Sequence, residues 1–164
     1  VGEIGEVLFG GPKIMKEYWR KPEITAETLR GGWYHTGDIG YLDETGHLYL
    51  VDRKKDMIIS GAENVYSVEV ENVLSTHPAV LEVAVIGIPH DLWGEQVHAV
   101  VVRRDGQDAA TADDILDFCR DKIAGYKIPK SLSFADGPLP TTGPGKVAKR
   151  RLRDPYWEAA ERQI

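Results

Sequence analysis

The sequence predicts an α+β fold, a small mixed sheet with packed helices preceded by strands of the β-hairpin type. Three observations carry this prediction. Residues 1–54 are short β runs and turns, alternating apolar and polar around Asp43-Glu44-Thr45-Gly46. Beyond residue 55 the elements lengthen, and two runs, "AVLEVAVIGI" and "VHAVVVRR", are rich in Val and Ile. Stretches opening near Ser67 and Thr111 place helix-start residues ahead of apolar stripes.

In chain order, "EVLFGG" reads as a strand, the polar "KEYWRKPEITAETLRGG" as a connection with one or two helical turns at Ala26 to Leu29, and "GWYHTGDIGYLDETGHLYLVDR" as a hairpin. "DMIIS" is a strand and "GAEN" a tight connection built on Gly61. Ser67 is expected to cap a helix with Glu69 and Glu71 in its first turn and Val70, Val73 and Leu74 as its buried stripe, ended by Pro78. The two Val/Ile runs are adjacent strands linked by "PHDLWGEQ". Thr111 and Asp114 form a capping box for a second helix with Ile115, Phe118, Cys119 and Ile123 on one face and Gly125 just past its end. "SLSFA" is a short strand, Pro138 to Gly145 a loop presenting Lys146, and "KVAKRRLR" a final helix.

Of the 164 residues 42% are hydrophobic and 28% charged, a globular composition that argues against wholesale disorder. The formal net charge of −6 argues against a general nucleic-acid or anionic-membrane surface. Cys119, the single cysteine, rules out an internal disulfide or a cysteine zinc site and fits a reducing cytoplasm; on the face of a helix, with no cation or His placed to activate it, it reads as a core residue. No apolar run is long enough to form a transmembrane segment, and a cytoplasmic protein is expected. "VGEIGEVLFGG" lacks an initiator Met and starts in mid-strand, so a fragment is expected.

Three constellations are candidates for chemistry, each with a plainer reading beside it. Lys146 follows a turn rich in Thr, Gly and Pro, a flexible mount from which a cation can meet an anion or simply stay solvated. It is not a Walker loop, because Pro140 and Val147 stand where that motif needs Gly and Ser or Thr. The block Arg53-Lys54-Lys55-Asp56 is either a solvated turn or an interdomain hinge. Asp38, in a Thr-Gly-Asp turn at the end of a strand, either caps that turn or accepts from two vicinal hydroxyls such as those of a ribose. His35 has no second ligand at metal spacing, so no metal site is assigned.

Taken in order, "GEIGEVLFGGPKIMKEYWRKPEITAETL", "GWYHTGDIGYLDETGHLYLVDRKKDMIISGAENVYSVEVENVL", "IPHDLWGEQVHAVVV", "AGYKIP" and "GPGKVAKRRLR" resemble the C-terminal part of an acyl-CoA synthetase of the adenylate-forming superfamily, which includes luciferase and peptide-synthetase adenylation domains. The resemblance implies that residues 1–54 are the tail of a large N-terminal lobe and 55–164 a small mobile C-terminal lobe. It implies a reaction in which a carboxylic acid, expected to be a fatty acid, and Mg-ATP give an acyl-adenylate, from which CoA displaces AMP. Asp38 and Arg53 would then hold the nucleotide, Lys55 would be the hinge, and Lys146 would bridge the carboxylate and the α-phosphate. Ser60, Gly61, Ala62, Glu63 and Asn64 would line the passage for CoA. Two positions depart from the family pattern: Ala62 stands where many relatives have glycine, and Ser67 where they have proline.

The resemblance also implies that ATP and Mg2+ are bound mainly by the N-terminal lobe, so the chain alone is expected not to catalyse adenylation. The eleven residues after Arg153 favour a free-standing ligase over an adenylation domain that loads a carrier protein. A non-catalytic module binding RNA or acidic partners through Lys146, Lys149, Arg150, Arg151 and Arg153 is opposed by the acidic remainder of the chain.

Overall fold

The computed structural model describes residues 1–143 and 145–160, and the chain divides into two compact units, Val1–Lys55 and Asp56–Ile164. Among the described residues no helix is long and apolar enough to cross a membrane.

The first unit is an antiparallel sheet in the order β1-β2-β3, formed by β1 (Gly5–Phe9), β2 (Tyr34–Leu42) and β3 (Leu48–Arg53). The hairpin turn expected at 43–46 is present. Asp43 Oδ1 accepts from the amides of Thr45 and His47, both at 2.9 Å, and Gly46 takes a φ of 83° that a side chain would oppose. The connection between β1 and β2 contains α1 (Pro22–Thr28), which starts four residues before the expected turns because Pro22 suits a first helical position. Thr36-Gly37-Asp38 lies inside β2 and not at a strand end, contrary to expectation. Gly37 at φ 73° and a register shift opposite Glu6 and Leu8 bow the strand there, so ladder pairing resumes on either side.

The second unit is built on a sheet ordered β5-β4-β7-β6, with β8 alongside β7. Its centre is the long hairpin of β6 (Val80–His90) and β7 (Gly94–Arg103), whose connection is only Asp91 to Trp93; the rest of "PHDLWGEQ" is in the ladder. Their central stretches, 83–88 and 99–102, are apolar on both faces because both are covered. Val85, Val97, Ala99 and Val101 pack with Val70 and Leu74 of α2 (Ser67–Leu74) and with Ile115 and Cys119 at α3 (Ala112–Asp117). Ala84, Ile86, Ile88, Val100 and Val102 face the other way, against Leu139 and against Leu152 and Tyr156 of α4 (Lys149–Ala159). β8 (Ser131–Phe134) adds a parallel edge to β7.

Local signals set most element starts and tertiary contacts reset several ends. Both halves of the Thr111/Asp114 capping box form. The helix it starts stops at Phe118, well before Gly125, and Asp121 turns left-handed at φ 64°. Ser67 is not a cap. Tyr66 holds the cap position of α2, and the Ser67 side chain is fully buried inside the first turn. That helix ends at Leu74, ahead of Pro78. The last helix begins at Lys149, three residues later than expected, and continues through Pro155 to Ala159. Packing outweighs the proline: Trp157 is buried and its indole N–H donates to the Gly87 carbonyl at 3.1 Å.

"GAEN" resolves into a two-residue hairpin. Gly61 and Ala62 connect β4 (Ile58–Ser60) and β5 (Glu63–Val65), with φ values of 59° and 69°. Left-handed backbone costs alanine about 1–2 kcal/mol, whereas glycine adds about 0.4–1 kcal/mol of chain entropy to the unfolded state. Strain relief is the larger effect, so Ala62→Gly is expected to stabilise the chain by about 0.5–1 kcal/mol, read from its denaturant midpoint.

His98, buried in β7, lies between Ser131 Oγ at 2.7 Å from Nδ1 and, around Nε2, Ser133 Oγ and Tyr156 Oη, each at 3.0 Å. Burial holds its pKa below the ordinary 6.5. The unfolded chain therefore takes up a proton that the folded chain refuses, and stability is lost as pH falls from 6.5 through the lowered folded value. His98→Gln should flatten that acid slope in a series of denaturation curves; an unchanged slope would show that His98 is not its source.

Candidate functional site

In the first unit the β2–β3 ladder places Asp38 directly opposite Arg53, and the guanidinium Nε lies 4.0 Å from Asp38 Oδ1. Both side chains are about two-fifths exposed, so they meet at the limit of ionic contact with polar atoms left for a ligand. They line an open cleft of about 820 Å³ with Tyr18, Arg30, Tyr34 and His35. The bow at Gly37 is stitched by local bonds. Thr36 Oγ1 donates to the Val7 carbonyl at 2.8 Å and accepts from the Asp38 amide at 3.0 Å. Such a surface offers a carboxylate acceptor beside a cation, suited to a sugar diol next to a phosphate.

One residue of this cleft had no local signal in the sequence. Glu6 Oε2 accepts from the Lys54 ammonium at 2.9 Å and lies 3.3 Å from His35 Nδ1 and 3.5 Å from Arg30 Nη2. The bond from Lys54, and with it His35, holds the Glu6 carboxyl below its usual range against the opposing effect of burial. These partners stand 24 to 48 residues from Glu6, so only the strand pairing reveals them. Lys55 follows on an exposed turn and is the last residue of the unit.

In the second unit, Lys146 is exposed, and its mount is more ordered than the Gly/Pro composition predicts. The Thr142 amide donates to the Lys146 carbonyl at 2.7 Å, the Gly145 amide to the Thr142 carbonyl at 2.8 Å, and Thr141 pairs with Val147 in an antiparallel bridge. A miniature hairpin therefore fixes the lysine backbone and leaves its side chain to solvent; Pro144 lies outside the described residues.

Behind this hairpin, the Lys149 ammonium reaches Glu71 Oε1 at 2.7 Å and donates to Ser67 Oγ at 2.6 Å, and Glu71 Oε1 also accepts from the Val85 amide at 2.8 Å. The side chains of Lys149 and Glu71 are only 14% and 18% exposed. This cluster ties the start of α4 to α2 and β6. Serine at 67 is thus a buried hydrogen-bond partner of the lysine.

Ser60, Gly61, Ala62, Glu63 and Asn64 form the β4–β5 hairpin, whose last four residues are exposed. The Gly61 amide donates to the Trp93 carbonyl at 3.1 Å, and a methyl at Gly61 would lie 3.6 Å from the Trp93 ring. Trp93 in turn stacks on His90, with ring centroids 4.3 Å apart. Glu95 supports the hairpin from beneath. Its Oε2 accepts from the Ile59 amide at 2.8 Å, and burial against Gly87 raises its pKa. A Cβ at Gly87 would come within 2.9 Å of the Glu95 carboxyl carbon, so a larger residue there would have to displace that carboxylate. Among the described residues no group of three or more His, Cys, Asp or Glu side chains is placed to hold a metal ion.

Comparison with known proteins gives a consistent picture. Residues 69–146 match the AMP-binding enzyme C-terminal domain. A feruloyl-CoA synthase of Amycolatopsis sp. is 52% identical over 152 residues, 93% of this chain and 30% of the relative. The fatty acid–[acyl-carrier-protein] ligase ScoC of Streptomyces coeruleorubidus is 45% identical over 99% of this chain and 31% of its own. ATP-bound MatB from Rhodopseudomonas palustris superposes with a TM-score of 0.87 at 40% identity, covering 96% of this chain and 31% of that one. The chain thus spans about three-tenths of the length of the curated relatives it matches.

Proposed function

Since the chain belongs to the adenylate-forming superfamily and carries its AMP-binding enzyme C-terminal domain, we propose that the full protein is an ATP-dependent carboxylic acid:CoA ligase. In this reading residues 1–54 end a large N-terminal lobe and 55–164 form the small lobe that turns about Lys55. The observation that supports it best is the opposed pair Asp38 and Arg53, a diol acceptor and a phosphate partner held in register by neighbouring strands.

A carboxylate oxygen attacks the α-phosphorus of ATP, a P–O bond breaks, and pyrophosphate leaves. The CoA sulfur, having lost its proton, then attacks the acyl carbon, and AMP departs with the broken C–O bond. Asp38 accepts from the ribose hydroxyls, and Arg53 faces the ribose or phosphate. Lys146 touches carboxylate and α-phosphate together, and offsets their repulsion most where negative charge is most concentrated, in the transition state. Mg2+ bound with ATP would screen phosphate charge and would be held by the rest of the protein. The Gly61–Ala62 hairpin, with Ser60, Glu63 and Asn64 beside it, lines the route of the pantetheine arm after the lobe has turned.

Fatty acids are the first substrate class to test, with ScoC as the supporting relative. Aryl-propenoic acids are the second, favoured by the 52% identity to a feruloyl-CoA synthase. The deciding experiment is acid-dependent ATP–pyrophosphate exchange by the full-length protein over a panel of fatty and aryl acids, followed by thioester formation with CoA or with a carrier protein. Exchange with no acid would overturn the reading. Residues 1–164 alone are expected to give none. An RNA-binding role for the α4 cations is disfavoured, because Lys149 is engaged by Glu71 and Arg150 pairs with Asp154 at 3.3 Å.

A further inference from the structure

We propose that Glu6 is a positioning residue that anchors the fixed side of the hinge, by tying Lys54, the residue immediately before Lys55, to β1. The proposal rests on the hinge reading of Lys55 given above, and on contacts that lie wholly within the first unit.

A lobe can turn about one residue only if the chain just before that residue is held. Otherwise the rotation spreads over several φ/ψ pairs and the moving parts stop at no defined position. Lys54 is held twice. Its amide donates to the Gly37 carbonyl at 2.7 Å, which locks it to the bow in β2, and its ammonium donates to Glu6 Oε2 at 2.9 Å. Arg53, one residue earlier, is fixed by ladder pairing with Asp38. Backbone and side chain therefore secure the chain up to the residue where the first unit ends.

The acceptor must be a carboxylate. Arg30, His35 and Lys54 all point at Glu6 Oε2, and a neutral acceptor would leave these basic groups crowded around one oxygen. The Glu6 side chain is 17% exposed and the Lys54 side chain 53%, so solvent screens the attraction from the lysine side and the carboxylate end is the sheltered one. Glu6 touches neither Asp38 nor Arg53 in any of these contacts. Its effect on the reaction is exerted through Lys54.

The test is hydrogen exchange on the full-length protein, resolved to the segment 53–56, in Glu6→Gln, Lys54→Met, the double variant and Lys54→Arg. Exchange at the Lys54 amide is expected to rise on the order of fivefold in each single neutralising variant. The double variant should rise no further, and Lys54→Arg, which keeps a cation within reach of Glu6, should stay near the parent. Exchange in β1 and β2 should stay unchanged in Lys54→Met, whereas a merely structural role would loosen the strands too. Additive effects, a general rise over the sheet, or an unmoved 53–56 segment would each overturn the anchor. Should Glu6→Gln fail to fold, Lys54→Met against Lys54→Arg still decides.

Turnover is the second arm. A fall in acyl-adenylate formation in Lys54→Met, restored in Lys54→Arg, supports the link to the hinge; normal turnover despite raised exchange overturns it. Exchange reads the anchor whether or not the protein makes an adenylate. Failure of the ligase reading would appear instead as no acid-dependent activity in the parent.

Discussion

On the proposed ligase mechanism, Lys146→Ala in the full-length protein is expected to slow acyl-adenylate formation by at least about 10²-fold, while thioester formation from supplied acyl-adenylate stays nearly unchanged. In the proposed first step two anions must meet, and a cation touching both matters most when their charges are closest. The second step joins a thiol to an acyl group that already carries its leaving group, and it needs no such bridge. The hairpin of Thr142 and Lys146 sharpens the prediction. Because backbone bonds and not the lysine amine hold the loop, truncation to alanine removes the charge without dismantling its mount. Half-reactions measured separately, with pre-formed adenylate in the second, check this division of labour; equal losses in both steps would refute it.

The second large effect is structural. Lys149→Met should destabilise the chain by about 2–4 kcal/mol, because it strands the part-buried Glu71 carboxylate and the Ser67 hydroxyl without their cation. The figure is set about 1 kcal/mol below that expected for breaking a fully buried pair, since some solvent reaches both groups and the Val85 amide still donates to Glu71. Neutralising the carboxylate as well, in Glu71→Gln/Lys149→Met, should recover part of the loss. Denaturant midpoints of the parent, the two single variants and the double variant form a cycle; strict additivity would mean that the pair is not coupled. The same cycle bears on function, because Lys149 secures the chain three residues beyond Lys146.

Much of the fold was legible in the sequence because local chemistry decides it. Asp43 to Gly46 carry the hairpin turn, Thr111 with Asp114 the capping box, and the Val- and Ile-rich runs the doubly covered strands. The errors fall where distant groups outweigh local preference. Ser67 has the chemistry of a cap but is buried under Lys149, which lies 82 residues away. The sequence predicts the last helix over "KVAKRRLR", yet Trp157 draws it on through Pro155 against β6. "GAEN" hid a strand because β5 is three residues long, too short for a period to show.

What the sequence determined by itself was the α+β class, the family and the identities of its chemical groups, since residue type and order carry turn preference, burial pattern and charge. What only the tertiary structure decided was partnership. Asp38 faces Arg53 because two strands pair in one register, Glu6 gathers Lys54 because β1 joins the same sheet, and Lys149 finds Glu71 because helices cover a common hairpin. Charge interactions fall off with distance in space and are indifferent to separation along the chain, so folding selects which of the many possible pairs become real.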